Sequence, residues 1–150
     1  MIVRAALDSN FMIYAEGLAD DPRNSIAQDL LKKIAPDKVI VPLQSVAETT
    51  RWLINRAKQP LNLATKSAID WATNYVAQPT DLNVMISAMQ LLGQHGLQLF
   101  DCIIFAAAAE AGADILLSED MQHGFTWRGV TIVNPFLTEP SAHLLKLIKE

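Results

Sequence analysis

Residues 99–121 read LFDCIIFAAAAEAGADILLSEDM. Asp101 stands directly before CIIFAAAA, an apolar, alanine-rich run that packs well as a helix. Gly112 ends the run, ADILLS reads as a short buried strand, and Glu119 and Asp120 follow at its far end. A buried helix, a glycine and a buried strand in succession are the unit of an α/β fold with parallel strands. Open sheets of this kind bind ligands outside the carboxyl ends of their strands. Asp101 and Asp120 would both sit at that edge. The question is which other acids join them.

Towards the N-terminus, VRAAL (3–7) reads as a buried strand that ends at Asp8. Asp8, Ser9 and Asn10 are all good helix N-caps, so Asp8 also has a purely structural reading; FMIYAEGLA then begins a helix. Residues 25–34 read as an amphipathic helix with Ile26, Leu30 and Ile34 on one face. KVIVP (38–42) is a second strand. Pro42 opens a helix to about Lys58, whose buried stripe is Val46, Thr50, Leu53 and Ala57 at helical spacing. Glu48 lies off that stripe, beside Arg51 and Trp52, where the helical wheel alone makes it a surface residue. Its place early in the helix after strand two nevertheless brings it to the carboxyl edge of the sheet. Residues 63–76 read as another helix, with Ile69, Trp71 and Tyr75 partly buried. Thr80 or Asp81 caps a helix over 82–95, with Val84, Ile86, Met89 and Leu92 as core and Gly96 as the stop. Beyond the central stretch, VTIV (130–133) is a final strand, and SAHLLKLIK (141–149) is an amphipathic tail helix. Strands alternating with helices predict a mainly parallel sheet covered on both faces, in one domain over residues 1–150.

Composition bounds the function. The 150 residues are 51% hydrophobic and 19% charged, enough for a full core and too apolar for disorder. No apolar stretch is long enough for a membrane span, and the N-terminus lacks the pattern of a signal peptide; a cytoplasmic location is expected. Cys102 is the single cysteine, which excludes an internal disulfide and a cysteine-rich zinc site; it reads as a small core residue. The net charge of −4 argues against a protein held to nucleic acid by overall basic charge. That charge is unevenly spread. Residues 49–69 carry Arg51, Arg56, Lys58 and Lys66 and no acid, so this segment is +4 and the rest of the chain −8. A basic face near an acidic pocket follows as one reading, an ordinary solvated helix as the other.

Four acids, Asp8, Glu48, Asp101 and Asp120, fall at strand-to-helix junctions or early in the following helix. At about 4 Å two carboxylates repel by roughly 4 kcal/mol at an effective dielectric near 20. Such a cluster is tolerated when protonated or when it holds a cation, and hard oxygen ligands suit Mg²⁺ or Mn²⁺. A divalent ion there can make a water nucleophilic towards a phosphodiester and steady the leaving oxygen. Competing sites are weak. Neither a GxGxxG nor a GxxxxGK[ST] loop occurs, no GxSxG elbow occurs, and His95, His123 and His143 lack metal-ligand spacing. Met121, Phe125 and Trp127 read as loop and core packing, though Trp127 or Trp52 could stack on a base.

The ordered set LDSN (7–10), the Glu48 helix after VIVP, residues 99–121 and GVTIVNPF (129–136) resembles the PIN domain, and within it the VapC-like toxin ribonucleases. The resemblance spans nearly the whole chain. It implies a three-layer α/β/α sandwich with a parallel sheet of about four or five strands, and Mg²⁺- or Mn²⁺-dependent cleavage of RNA. It implies Asp8, Glu48 and Asp101 as metal acids, Asp120 as a fourth acid acting directly or through water, and Asn10 and Ser118 as supports. It also implies a homodimer and a small antitoxin partner. Cys102 stands where the family usually has alanine, and SEDMQHG is longer and more polar than the usual loop, so the substrate rim can differ. A housekeeping nuclease or a non-catalytic RNA-binding module on the same fold is the alternative. A phosphatase with Asp8 as nucleophile is disfavoured, because Asn10 stands where that chemistry wants a second aspartate.

Overall fold

A computed structural model describes residues 3–149; Met1, Ile2 and Glu150 of the expected domain lie outside the described residues. In chain order the elements are β1 (Ala5–Leu7), α1 (Ser9–Glu16), α2 (Arg23–Lys33), β2 (Val39–Pro42), α3 (Leu43–Asn55), α4 (Leu61–Asn74), β3 (Val76–Gln78), α5 (Leu82–His95), α6 (Leu99–Glu110), β4 (Ile115–Leu117), β5 (Thr126–Trp127), β6 (Val130–Val133) and α7 (Ala142–Lys149). The strands form one sheet in the order β3-β2-β1-β4-β6-β5. Every pairing is parallel except that of β5, which runs antiparallel to β6 at the edge.

The strands are short and apolar throughout because both sheet faces are covered. Side chains alternate between those faces. Ala6, Ile40, Leu116 and Ile132 point into a core shared with α5 and α6. Ala5, Leu7, Val39, Val41, Ile115, Leu117 and Val133 point the other way, into a core shared with α1, α2 and α7. This is the three-layer α/β/α sandwich. α6 is buried from Cys102 to Ala108 on every side, as a helix apolar all round must be. Its alanines let it lie close to the sheet. Gly96 (φ 62°) caps α5 and Gly112 (φ 77°) makes the tight turn into β4, conformations that glycine adopts without a Cβ clash.

After β1 the chain builds outward through β2 and β3, then crosses back to lay β4 on the other side of β1. The crevice between β1 and β4 is therefore the topological switch point, the place where open α/β sheets bind ligands. Asp8 leaves β1 there, its N–H donating to the Leu117 carbonyl at 3.0 Å.

Several helix faces differ from the periodicity reading. Ile26 is 42% exposed and Ala27 is buried in its place; Ile69, Ile86 and Met89 are exposed, while Ser87, Ala88 and Leu91 face the core; in α3 the buried positions are Ser45, Thr49 and Leu53, with Val46, Thr50 and Ala57 only half-buried. The reason is steric. Where a helix lies close on a sheet, small side chains occupy the contact line. Bulk misleads there. Ser45 is admitted because its hydroxyl donates to the Leu7 carbonyl at 2.8 Å. Asp81, not Thr80, caps α5, accepting from the Val84 N–H. β3 lies where a helix end and turn were expected; it is largely exposed and so carries no apolar signal. β5 lies in the stretch around Trp127 that reads as loop. Trp127 is 8% exposed, edge-on to Phe105 and covered by Arg128, so it is a core residue and not a stacking platform.

Candidate active site

Each acid reaches the switch point by its own route. Asp8 ends β1 and is the N-cap of α1, its Oδ1 accepting from the Ser9 N–H at 2.7 Å. Its Oδ2 accepts from the Ser118 hydroxyl at 2.7 Å and the Asn10 amide at 2.9 Å. Asn10 also donates to Asp120 at 3.3 Å, and its own carbonyl oxygen accepts from the Glu119 N–H at 3.1 Å. One amide thus ties the β1 end to the β4 end. Glu48, one turn into α3, accepts from the Ser9 hydroxyl at 3.1 Å and from Gln44 at 3.2 Å. Asp101 lies in the first turn of α6, not before it, where the helix dipole favours an anion. Its N–H donates to Gln98, the N-cap, at 3.0 Å.

Burial and like charge act together on these groups. Burial pushes the Asp8 carboxyl up to about 6, helped by Asp101 and Glu48 and opposed by the Ser118 and Ser9 hydrogen bonds. Burial also raises Asp101, with Glu48 and then Asp120 adding to the shift. Asp8 is only 2% exposed, and a buried carboxylate beside other carboxylates is costly. As placed, no three histidine, cysteine, aspartate or glutamate side chains among the described residues close into a ready-made ligand set. Mg²⁺ does not require one, since it keeps several waters and takes one or two carboxylates directly. The donor set is all hard oxygen, and the mutual repulsion is what a divalent cation relieves.

Two cavities flank the acids. One of about 300 Å³ opens on Asp101 and Asp120 and is otherwise mostly uncharged, with His95, Gln98, Met121 and Phe125 among its walls. His95 packs edge-on to Phe125, and His123 accepts from the Asn134 N–H through Nδ1. The other, of about 350 Å³, opens on Glu48 and runs along α3.

The PIN domain family model matches residues 5–124. The chain belongs to the PIN domain family. Comparison with curated proteins finds no match. Solved structures with this fold include VapC20 of Mycobacterium tuberculosis, a sarcin-ricin-loop-cleaving toxin, 22% identical, covering 77% of this chain and 89% of that one at a TM-score of 0.65. A toxin–antitoxin complex from Klebsiella pneumoniae is 18% identical, covering 88% of this chain and 98% of that one at 0.66. FitAcB from Neisseria gonorrhoeae is 22% identical with the same coverage at 0.62. At these identities the likeness shows the fold. No helix among the described residues is long and apolar enough to cross a membrane.

The site of this PIN domain holds residues that sequence reasoning passed over. Gln44 is four before Glu48 on α3, a spacing that puts both on one helix face and was readable. Ser9 bonding Glu48 was not, because 39 residues separate them. Glu119 was seen only as a neighbour of Asp120. It takes both nitrogen contacts from Arg23 Nη1, at 2.8 and 2.9 Å, and the Tyr14 hydroxyl at 2.7 Å, which pins the loop after β4 to the start of α2.

Ser118 gives a direct check. Its hydroxyl favours the ionised form of Asp8, and it also accepts from the Met121 N–H at 3.2 Å. Ser118→Ala is expected to destabilise the metal-free protein by about 1.5 kcal/mol, with the larger loss at pH 8, where Asp8 is charged. Urea unfolding at pH 5 and pH 8 reads this. An equal loss at both would assign Ser118 to packing alone.

Proposed function

We propose that this PIN domain is a divalent-metal-dependent endoribonuclease that hydrolyses RNA phosphodiester bonds, and that it acts as the toxin of a type II toxin–antitoxin pair. The observation that carries the reading is the meeting of Asp8, Glu48, Asp101 and Asp120 at the switch point of the sheet. The toxin assignment is supported by the fold it shares with VapC20 and with the toxin–antitoxin complex from Klebsiella pneumoniae.

In this mechanism Asp8, Glu48 and Asp101 would hold Mg²⁺ or Mn²⁺, and Asp120 would contribute directly or through water. A divalent ion supplies Lewis-acid activation of water and neutralises charge that develops on the phosphodiester. The chain's own work is positioning. Asn10 and Ser118 fix Asp8, Ser9 and Gln44 fix Glu48, and Gln98 fixes the turn bearing Asp101. Hydrogen bonds therefore orient the Asp8 and Glu48 carboxylates directly, and Asp101 only through its backbone.

The test pairs biochemistry with growth. Purified protein cleaves RNA with Mg²⁺ or Mn²⁺, and chelation stops it. Induction of the wild type arrests growth, and co-expression of the product of a small adjacent reading frame relieves the arrest. Cleavage without arrest would leave a housekeeping nuclease; cleavage that survives chelation would remove the metal.

A further inference from the structure

The second cavity opens on Glu48, and its walls follow one face of α3. Arg51, Trp52, Asn55 and Arg56 stand three, four, seven and eight residues after Glu48, the spacing of one helical face. They continue for about 12 Å at 1.5 Å per residue and line a space of about 350 Å³ with Ser9. Three features set this face apart. It belongs to the acid-free stretch 49–69 in an otherwise acidic chain. Its arginines are uncommitted: the ion pairs among the described residues join Arg23 to Asp21 and Glu119, and Lys66 to Asp70, and neither Arg51 nor Arg56 takes part. Trp52 is half-buried, yet it takes no part in the ring pairs among the described residues, and its indole N–H is unbonded there.

A cluster of four carboxylates repels a polyanion, so a strand cut there must be held by positive charge elsewhere. The other cavity has no lysine or arginine in its walls, its ionisable residues being Asp101, Asp120 and His95. The α3 face offers two free guanidiniums and an aromatic plane within reach of Glu48. Aromatic stacking with flanking cations is how single strands are gripped without base-specific hydrogen bonds.

We infer that the α3 cavity is a substrate subsite in which Trp52 stacks on one unpaired base of single-stranded RNA while Arg51 and Arg56 hold adjoining phosphates, leading the strand to Glu48. The inference rests on the ribonuclease reading and adds the strand's path and the residues that grip it.

The test uses the full chain carrying Asp101→Asn, in Mg²⁺, with a short 5′-fluorescein oligoribonucleotide of mixed sequence read by anisotropy. Trp52→Ala in that background is expected to weaken binding roughly tenfold, and Trp52→Phe is expected to retain most of it. Arg51→Gln and Arg56→Gln are each expected to flatten the dependence of log affinity on log salt by about 0.7, one single-strand phosphate apiece. Circular dichroism melts of each variant confirm the fold. Unchanged affinity in Trp52→Ala, equal losses in Ala and Phe, or an unchanged salt slope in both arginine variants overturns the subsite. The wild-type chain is run in parallel for binding and cleavage of the same oligonucleotide. If it cleaves while the variants bind normally, the subsite is wrong and the nuclease stands; if it neither binds nor cleaves, the nuclease reading itself fails.

Discussion

Asp101→Asn is expected to abolish metal-dependent RNA cleavage and, in the metal-free protein at pH 8, to raise the melting temperature. The two effects have one cause. Asp101 is raised by burial and by its neighbours Glu48 and Asp120, so its negative charge is a liability until a cation arrives. Its carboxylate accepts no hydrogen bond among the described residues, unlike that of Asp8, so the amide replaces it without orphaning a donor. Removing the charge relieves repulsion and is expected to add a few degrees to the melt. It also removes one of the acids proposed to hold the metal. Metal assistance is worth several kcal/mol at the transition state, so the cleavage rate is expected to fall by roughly a hundredfold or more at 1.36 kcal/mol per tenfold. Gel-based cleavage and a chelated thermal melt on the same preparation read both. A variant that is inactive and less stable would point to a damaged fold; one that still cleaves would remove Asp101 from the chemistry. Sites that trade stability for function behave in this way.

The second large effect is a stability that runs against the usual carboxylate trend. Asp8 has an ordinary value of 3.8 when unfolded and is pushed up to about 6 when folded. Between those values the folded state holds the extra proton, so folding is favoured at low pH and loses that advantage as pH rises. The contribution is complete below about pH 4 and gone above about pH 6, and two units correspond to about 3 kcal/mol. In EDTA, the stability of the wild type relative to Asp8→Asn is therefore expected to fall between pH 4 and pH 7. Mg²⁺ is expected to stabilise the wild type more at pH 8 than at pH 5, because the ionised cluster is the proposed metal site. Urea midpoints across that range, with and without Mg²⁺, measure both. A wild type that gains on the variant as pH rises would mean that Asp8 is stabilised as an anion without metal.

Much of the fold was legible because a buried parallel sheet leaves a coarse signal. VRAAL, VIVP, DILL and VTIV are short apolar runs between helices, and no amphipathic reading competes with them. The acids at their ends were legible for the same reason: Asp8 and Asp120 each follow a buried strand. Glu48 was not, on the wheel alone; only its position after β2 recommended it. The helix faces failed where Ala27, Ser87 and Ala88 displaced larger neighbours, since close packing rewards small side chains that an apolar stripe does not mark. β3 failed because an exposed edge strand needs no apolar run. The bonds that set the site, Ser9 to Glu48 and Arg23 to Glu119, join residues 39 and 96 apart, and no local pattern encodes a pairing at that distance.

In the proposed site these distant acids share one place, and a divalent cation makes them compatible. Calorimetric titration of Mn²⁺ into the chelator-stripped wild type and into Asp101→Asn tests it most directly. Saturable binding is expected in the wild type and its loss is expected in the variant. Superimposable isotherms, whether both bind or neither does, would contradict it.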